Sequence, residues 1–451
     1  MMKLYIETLG CPKNFNDSEG IGGIWEKAGM ALTDDLIAAD VILVNTCGFI
    51  NDAKKESIDK IFDMIRFKEE AAEPSKEGAD SAEKILVVSG CLSQRYGEEL
   101  FEEMPEVDIF LGVNDYEKLP QMVRNLKRGR REKSFSCEPE GFEEFSARKT
   151  ADNPYSATLR IAEGCNNCCA YCVIPRIRGG YRSRPMENIL NEGKLLAEKG
   201  CKELILIAQD VTEYGRDLYG CLRLPELLRE LCRIDGIRWI RLMYCYEDKI
   251  TDELIEVMAS EEKICHYIDI PLQHISDKVL DRMNRHSTSA SIRNTIARLR
   301  RKIPDIHIRT TMIVGFPGET EEEFYELLDF VEEARFERLG VFAYSREEGT
   351  AAGEMDNQID ENVKAQRVDA VMRRQLDISR EINEQKVGNT ITVLVDGMDE
   401  GGAYLGRTRY DAPEIDDNVI FDADKELVPG DMVRVYINDA FDYDLVGRME
   451  D

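Results

Sequence analysis

Residues 157–172 read ATLRIAEGCNNCCAYC, an apolar strand that leads directly into four crowded cysteines. A strand that carries such a loop at its carboxyl end is typical of a parallel β/α barrel, whose reactive groups gather there. Two interpretations of the cysteines are open. Two CxxC pairs would resemble a zinc site, although zinc ligand pairs normally come from separate loops. CxxxCxxC through Cys165, Cys169 and Cys172 would instead bind three irons of a four-iron cluster and leave the fourth iron open.

The centre of the chain repeats the pattern of this first strand. Helical stretches separate six apolar segments, which predicts a complete or partial parallel barrel over residues 151–385. The predicted strands are ATLRIAEG, ELILIAQD, IRWIRLMYCY, HYIDIPLQ, IHIRTTMIVGF and ERLGVFAYS.

The segments on either side predict two further domains. Residues 1–135 alternate amphipathic stretches with four predicted strands, which indicates a parallel α/β domain. These strands are KLYIETLG, VILVNTC, KILVVSGC and VDIFLGV. Residues 386–451 contain four short predicted strands separated by Gly, Pro, Asp and Asn, which indicates a small antiparallel β-barrel. They are ITVLVDGM, AYLGRTRY, NVIF and MVRVYINDA. The fold class is therefore α/β, with a surface loop expected at 71–84 and a linker at 131–156.

Three more cysteines follow predicted strands of the first domain. Cys11 comes after LYIETLG, Cys47 after VILVNT and Cys91 after ILVVSG. Open α/β sheets place ligands at the carboxyl ends of their strands, so these thiols are expected to meet at one edge. One such cysteine would be more simply a buried inert thiol. Three at equivalent strand ends favour a metal or iron–sulfur site.

Composition limits the partners and the compartment. The formal net charge is −29, from 59 basic and 88 acidic residues, which disfavours nucleic acid and favours a basic partner. Two short basic islands, at 124–133 and 176–184, are expected to be solvated helix ends and loops. Neither a signal peptide nor a membrane-spanning segment is evident, so the 13 cysteines are expected in a reducing cytoplasm.

The combined motifs resemble a known family. CNNCCAYC is similar to the cluster loop of radical S-adenosylmethionine enzymes, and the final barrel is similar to a TRAM domain. LGCPKN, NTCGFI and SGCLSQRY resemble the amino-terminal domain of the methylthiotransferases. One branch of that family modifies adenosine in transfer RNA, and another modifies an aspartate of ribosomal protein S-twelve. The phrases CPKNFNDSE, NTCGFINDAKKESI, DIPLQHISDKVLDRMNR, RLGVFAYSREEGTAA and TRYDAPEID resemble the ribosomal-protein branch. The alternatives are the transfer-RNA branch and, from a different class, a non-catalytic zinc-binding scaffold that engages the ribosome.

The resemblance implies a mechanism and its cofactors. A [4Fe-4S] cluster on Cys165, Cys169 and Cys172 would bind S-adenosylmethionine and generate a deoxyadenosyl radical, because an unactivated C–H bond requires radical chemistry. A second [4Fe-4S] cluster, on a set of three thiols, would deliver the sulfur, and another S-adenosylmethionine would supply the methyl group. An electron donor such as flavodoxin or ferredoxin is implied. The second ligand set would be Cys11, Cys47 and Cys91.

The charge of the last domain bears on the substrate. Residues 387–451 contain 5 basic and 16 acidic side chains. A domain that binds RNA phosphates is expected to carry the opposite charge, whereas an acidic barrel suits a strongly basic ribosomal protein. Acidity that serves solubility alone is the competing interpretation.

Further contacts are expected at other strand ends. By resemblance, Tyr171 would stack near the adenine of S-adenosylmethionine, and GFPGET at 315–320 would contact the same cofactor, its glycines allowing close backbone approach. Rim packing and a simple turn are the competing interpretations. Cys168 departs from the family pattern and is predicted not to be a ligand. The residues assigned from GFPGET are Gly315, Phe316, Pro317, Gly318 and Glu319, and the weaker candidates are Gln209, Asp210, Gln273 and His274.

Overall fold

The structure is a computed structural model that describes residues 1–72, 84–127, 129–136, 148 and 155–450. Most of the predicted surface loop at 71–84 and of the predicted linker at 131–156 lies outside the described residues. The chain forms two compact units. The first comprises Met1–Ala151, Glu163–Cys168 and Cys172–Arg182, and the second comprises Asp152–Ala162, Cys169–Tyr171 and Ser183–Asp451. The domain boundaries expected at 135, 151 and 385 stay a prediction.

The first unit is built on a six-stranded parallel sheet with strand order β2-β1-β3-β4-β5-β6. The four strands predicted from sequence are β1, β3, β4 and β5, and the two additions, β2 and β6, have only two and three residues. The elements are β1 (Lys3–Thr8), α1 (Pro12–Lys27), β2 (Ala31–Leu32), β3 (Val41–Thr46), α2 (Asn51–Ala72), β4 (Ile85–Gly90), α3 (Cys91–Glu103), β5 (Ile109–Leu111), α4 (Leu119–Asn125) and β6 (Glu132–Ser134).

The core of this unit lies on both faces of the sheet. Successive side chains of a strand point to opposite faces, and β3 shows this directly. Val41 and Leu43 pack in the cluster that contains Trp25 of α1. Ile42 and Val44 pack in the cluster that contains Ile61 of α2 and residues of α3. A strand buried on both faces reads as a continuous apolar run, and VILV is such a run.

The second unit contains an open parallel sheet in which six strands follow in chain order, β7-β10-β11-β12-β13-β14. All six predicted strands are present, and the sheet is a partial rather than a closed barrel. The elements are β7 (Ser156–Arg160), β8 (Ala162–Glu163), α5 (Ile174–Arg178), β9 (Arg182–Ser183), α6 (Met186–Glu198), β10 (Glu203–Ile207), α7 (Arg216–Tyr219), α8 (Leu224–Cys232), β11 (Trp239–Leu242), α9 (Asp252–Ser260), β12 (Ile264–Asp269), α10 (Asp277–Arg282), α11 (Ser289–Lys302), β13 (His307–Val314), α12 (Glu321–Ala334), β14 (Arg338–Ala343) and α13 (Glu361–Glu384); β8 and β9 pair as a separate small sheet and α5 belongs to the first unit.

A closed five-stranded barrel ends the chain, with strand order β15-β16-β17-β19-β18. Four strands agree with the prediction, and β19 was missed because its five residues, LVGRM, show little alternation. The strands are β15 (Thr390–Met398), β16 (Tyr404–Thr408), β17 (Val419–Asp422), β18 (Met432–Ala440) and β19 (Leu445–Met449). Among the described residues, no helix has both the length and the apolar character needed to cross a bilayer.

Buried ion pairs join the small barrel to the open sheet within the second unit. Glu203 of β10 is fully buried and accepts hydrogen bonds from Arg241 at 2.9 Å and from Arg407 of β16 at 2.6 Å. Burial alone would raise the pKa of Glu203, but Arg407 and Arg241 hold it below its ordinary value. Nearby, Arg338 of β14 pairs with Asp411 at 2.6 Å. The barrel is thus attached through charges that water does not screen.

We expect Glu203→Gln to destabilise the second unit strongly. The substitution removes the carboxylate that two buried guanidinium groups share and leaves Arg407 with Asp396, its partner at 3.0 Å. Breaking a buried pair in this way costs about 3–5 kcal/mol. Urea unfolding measures the loss without adding salt that screens charges.

Glu230→Gln is the matched control, because Glu230 pairs with Arg233 at 2.5 Å on an exposed helix surface. Exposed pairs contribute about 0–1 kcal/mol. Equal unfolding midpoints for the two variants would contradict the structural role of Glu203.

Candidate functional site

Strand register brings the loops of Cys11, Cys47 and Cys91 to one edge of the first sheet. Thr8 of β1 lies opposite Asn45 of β3, and Thr46 lies opposite Gly90 of β4. Thr46 and Gly90 lie side by side on neighbouring strands, so the residues that directly follow them, Cys47 and Cys91, are close to each other. Cys91 is also the first residue of α3. Cys11 precedes α1 after the turn that follows β1. The register therefore brings the three loops together, as expected.

Close contacts confirm that the three loops converge. A Cβ atom added to Gly10, whose φ is +98°, would lie 2.8 Å from the Cys47 Cβ and 3.1 Å from its sulfur. Asn14 is fully buried and donates from its amide nitrogen to the carbonyls of Leu9 and Thr46. Its amide oxygen lies 3.8 Å from the Cys91 sulfur. Asn14 thereby ties all three loops together.

The three thiols differ in exposure. Cys47 and Cys91 are buried, whereas Cys11 is exposed. Burial raises the pKa of Cys47 to about 11, and Cys91 and Cys11 add to the shift. Burial also raises the pKa of Cys91, against the opposing effect of the Arg178 cation. With their pKa values raised, Cys47 and Cys91 stay protonated at neutral pH unless a metal displaces the proton.

The second cysteine loop runs between β8 and α5 and supplies hydrogen-bond donors to its sulfurs. The backbone N–H of Asn167 donates to the Cys165 sulfur, and that of Ile174 donates to the Cys172 sulfur, both at 3.5 Å. Donors of this kind stabilise the anionic sulfur ligands of iron–sulfur clusters. The loop thus has the polar environment that CxxxCxxC requires.

Cys169 has a hydroxyl neighbour in the second unit. The Tyr246 hydroxyl lies 3.7 Å from the Cys169 sulfur. Arg285 stacks on the Tyr246 ring at 4.2 Å and donates to the Tyr171 hydroxyl at 3.3 Å. Arg285 is buried, and no carboxylate of the described chain pairs with it. This cation beside Cys169 and Tyr171 suits an anionic ligand.

Cys168 is oriented differently from its neighbours. Its φ is +45°, a left-handed backbone conformation that is uncommon for residues other than glycine, and its side chain is exposed. These features agree with a ligand set that passes over Cys168.

The GFPGET loop follows β13, as predicted, but its side chains have structural partners. Glu319 accepts from the backbone N–H of Phe316 at 3.0 Å and from Arg367 of α13 at 2.8 Å. Phe316 is fully buried against Tyr344, and Pro317 is buried as well. A Cβ on Gly315, whose φ is +70°, would clash with the Lys364 side chain at 2.3 Å.

These contacts change how the loop is interpreted. The glycine at 315 is required by packing, so it does not by itself indicate close approach of a ligand. Glu319 and Phe316 hold the loop in shape, which leaves the backbone and the half-exposed Gly318 as the groups that can face a cofactor.

The weaker candidates at strand ends also have structural partners. Asp210 accepts from Thr212 and Lys249 and so stabilises the turn after β10. His274 is fully buried, its Nδ1 accepts from the Ser276 N–H, and burial lowers its pKa to about 3, so the ring is neutral. Gln273 has a φ of +71° and bridges to β13, while Gln209 is half-buried.

One sequence prediction is wrong for two residues. The island 176–184 was expected to be solvated, yet Arg178 and Arg184 are buried. Both find acceptors inside the protein: Arg178 on Asp17 and Glu163, Arg184 on Glu192. Basic residues look alike in sequence whether they are solvated or paired, so only the packing distinguishes them. Sequence reasoning also missed Lys13, Asn14, Tyr246 and Arg285.

The arrangement fits clusters better than a single ion. Nowhere among the described residues are three His, Cys, Asp or Glu side chains grouped tightly enough to ligate one metal ion. In a four-iron cluster each thiolate binds a different iron, so its sulfurs stand further apart than around one ion. Three of the thiols lie on three loops at one sheet edge and the other three on one loop, and N–H groups donate to the sulfurs of Cys91, Cys165 and Cys172.

Comparison with known proteins identifies the class. Residues 159–331 match the Radical SAM superfamily, residues 387–449 match the TRAM domain, and residues 3–112 match the Uncharacterized protein family UPF0004. The fold is similar to that of the radical S-adenosylmethionine methyltransferase TsrM from Kitasatospora setae, with a TM-score of 0.56 and 14% identity over 88% of this chain and 79% of that one. The cysteine-bearing sheets described above are thus those of a radical S-adenosylmethionine enzyme.

Full-length relatives narrow the class to one family. A protein of Clostridioides difficile (strain 630) named ribosomal protein uS12 methylthiotransferase RimO is 49% identical over 99% of this chain and 98% of its own length. The protein of that name from Geobacter sulfurreducens is 48% identical over 99% of this chain and 98% of its own length. The chain belongs to the RimO family of methylthiotransferases. Membership implies S-adenosylmethionine and [4Fe-4S] clusters as cofactors.

We expect Cys168→Ser to keep the full iron content of about eight atoms per chain, because the CxxxCxxC spacing takes its three thiolates from Cys165, Cys169 and Cys172. Cys169→Ser, one position away, is the matched variant and is expected to retain about four. Iron quantitation after anaerobic reconstitution makes the comparison. Loss of about four irons from Cys168→Ser would contradict the ligand spacing.

Proposed function

We propose that this enzyme inserts a methylthio group at the β-carbon of an aspartate in ribosomal protein uS12, the protein called S-twelve above. The observation that carries the proposal is the presence of two separate sets of three cysteines at strand ends, in a chain nearly half identical to proteins named uS12 methylthiotransferases. One set serves radical generation and the other serves sulfur transfer.

The proposed ligands of the sulfur-donating cluster are Cys11, Cys47 and Cys91, and those of the radical-generating cluster are Cys165, Cys169 and Cys172. Three thiolates leave one iron of each cluster open. When bound, the clusters and S-adenosylmethionine would together supply the radical that abstracts hydrogen, the sulfur atom and the methyl group. The chain's own residues hold the thiolates, donate hydrogen bonds to them and exclude water from Cys47 and Cys91.

For S-adenosylmethionine we propose contacts at the rim formed by Tyr171 and the GFPGET loop. Tyr171 is half-buried, and its hydroxyl is held by Arg285, so its ring orientation is restrained. The loop is braced by Glu319, Arg367 and Lys364 and offers backbone groups from Gly315 to Gly318. A braced loop keeps its donors in place and reduces the entropy lost on binding.

The closed barrel is the proposed docking surface for uS12. Four of its acidic residues do not face solvent freely, since they pair with arginines inside the second unit. They are Asp396, Asp411, Asp416 and Asp417. Among the described residues of the barrel, eight acidic side chains are nevertheless exposed, against three basic ones. The barrel surface therefore remains acidic although four of its carboxylates are paired, and an acidic surface suits a basic ribosomal protein.

The reaction needs a reductant and a compartment. We place it in the cytoplasm with a low-potential electron donor such as flavodoxin or ferredoxin. Modification of adenosine in transfer RNA is the alternative with the same chemistry. The acidic barrel surface speaks against it, because phosphate contacts depend on basic side chains.

We expect the wild-type protein, purified anaerobically, to be brown and to contain about eight irons and about eight sulfides per chain. Replacing either cysteine set by alanine is expected to leave about four of each, because the two clusters are independent. Iron and sulfide quantitation of both triple variants gives the result. A colourless protein that contains zinc would contradict the proposal.

We expect uS12, after reaction with the reduced enzyme and S-adenosylmethionine, to gain the mass of one methylthio group in place of one hydrogen. Mass spectrometry of uS12 and of transfer RNA from parallel reactions makes the measurement. The Cys165/Cys169/Cys172→Ala variant is the control and should modify neither. Modification of transfer RNA with unmodified uS12 would overturn the substrate assignment.

A further inference from the structure

A buried group of charges lies against Cys91 in the first unit. Arg178 of α5 is 3% exposed and donates from its Nη2 to Asp17 of α1 at 2.8 Å and to the Cys91 sulfur at 3.2 Å. Its Nη1 donates to Glu163 at 3.1 Å. The second oxygen of Glu163 pairs with buried Lys13. Four ionised side chains thus form one buried group, and Arg178 is its member that contacts the cysteine sulfur.

The origin of these residues in the sequence is informative. Arg178 lies six residues after Cys172, and Glu163 lies two residues before Cys165. Asp17 and Lys13 belong to the helix that follows Cys11. Val173 and Ile177 pack in the same apolar cluster as Cys91. The segments that flank the second cysteine loop are therefore built into the site of Cys11, Cys47 and Cys91.

The guanidinium is held in a fixed orientation. Asp17 accepts a hydrogen bond from Nη2 and Glu163 accepts one from Nη1. The Asn14 amide oxygen also accepts from Nη2, at 3.3 Å. A planar fork restrained on both arms cannot turn away from the sulfur. Two cations and two carboxylates balance each other, so the group is neutral apart from the thiols it touches.

We propose that Arg178 is a positioning residue that donates a hydrogen bond to the Cys91 ligand and sets the reduction potential of the cluster on Cys11, Cys47 and Cys91. The inference rests on the proposed function, because it takes these cysteines as ligands. Hydrogen bonds to cluster sulfurs and nearby positive charge favour the reduced, more negative state. Arg178 consequently raises the potential of this cluster.

A purely structural role is the competing explanation. A buried ion pair alone would account for the contacts to Asp17 and Glu163, but not for the direction of Nη2 toward a thiol. The two roles differ in what a substitution changes: a structural residue alters stability, whereas a potential-setting residue alters the cluster itself.

The test uses the full-length chain with Cys165, Cys169 and Cys172 replaced by alanine, which leaves one cluster. Arg178→Lys keeps the positive charge but loses the planar fork and its N–H···S bond. We expect about four irons and a shift of the midpoint potential to a more negative value, measured by redox titration monitored by electron paramagnetic resonance. Asp17→Asn removes a negative charge beside the same site, while Glu163 and Asn14 still hold the guanidinium in place. This variant is therefore expected to shift the potential in the positive direction.

Arg241→Lys is the matched control. Arg241 is also a fully buried arginine, paired with Glu203, but it lies in the second unit. We expect it to lower thermal stability and to leave the potential unchanged.

An unchanged potential in Arg178→Lys with about four irons retained would overturn the inference. If Arg178→Lys does not fold, the midpoint potential of Asp17→Asn is the deciding measurement. An unchanged potential in that variant would also overturn the inference. Absence of iron from the parent alanine variant is a separate result, since it refutes the ligand assignment of the proposed function instead.

Discussion

Parallel pairing of β1, β3 and β4 is the constraint on which the candidate site depends. Parallel strands run in one direction, so their carboxyl ends meet at one edge of the sheet. The register sets Thr46 opposite Gly90 and thereby makes Cys47 and Cys91 neighbours. A slip of one residue would reverse the faces of every side chain in the strand. The side chains of β3 pack against different helices on its two faces, with α1 on one face and α2 on the other, and this specific packing holds the register from which the cysteine geometry follows.

Buried charge is used in two places, and the use differs between them. In the second unit, Glu203 and Arg338 join the small barrel to the open sheet through arginine–carboxylate pairs. In the first unit, Arg178 is held by carboxylates but also contacts a thiol. Buried pairs seldom add stability over apolar packing of the same volume. Their value lies in a unique geometry, which a barrel attachment and a cluster ligand both require.

Much of the fold could be predicted because the apolar pattern is strong. Strands such as VILVNT and ELILIAQD are buried on both faces, so they stand out in the sequence as nearly continuous apolar runs. β19 escaped prediction because its LVGRM segment, which pairs with both β17 and β18, has no clear alternation. The GFPGET loop was placed correctly after β13, but its side chains have packing partners on α13. Those partners lie about fifty residues later in the sequence, where no local pattern indicates them.

The sequence by itself determined the positions of most strands along the chain, the fold types of the three domains and the spacing of the six cysteines, because these depend on local periodicity and short-range spacing. Tertiary structure alone decided which charges are buried. Arg178 and Arg176 stand two residues apart in the same basic island, yet one is buried and the other exposed. The difference arises because Asp17, Glu163 and Cys91, brought together by folding, provide acceptors for only one of them.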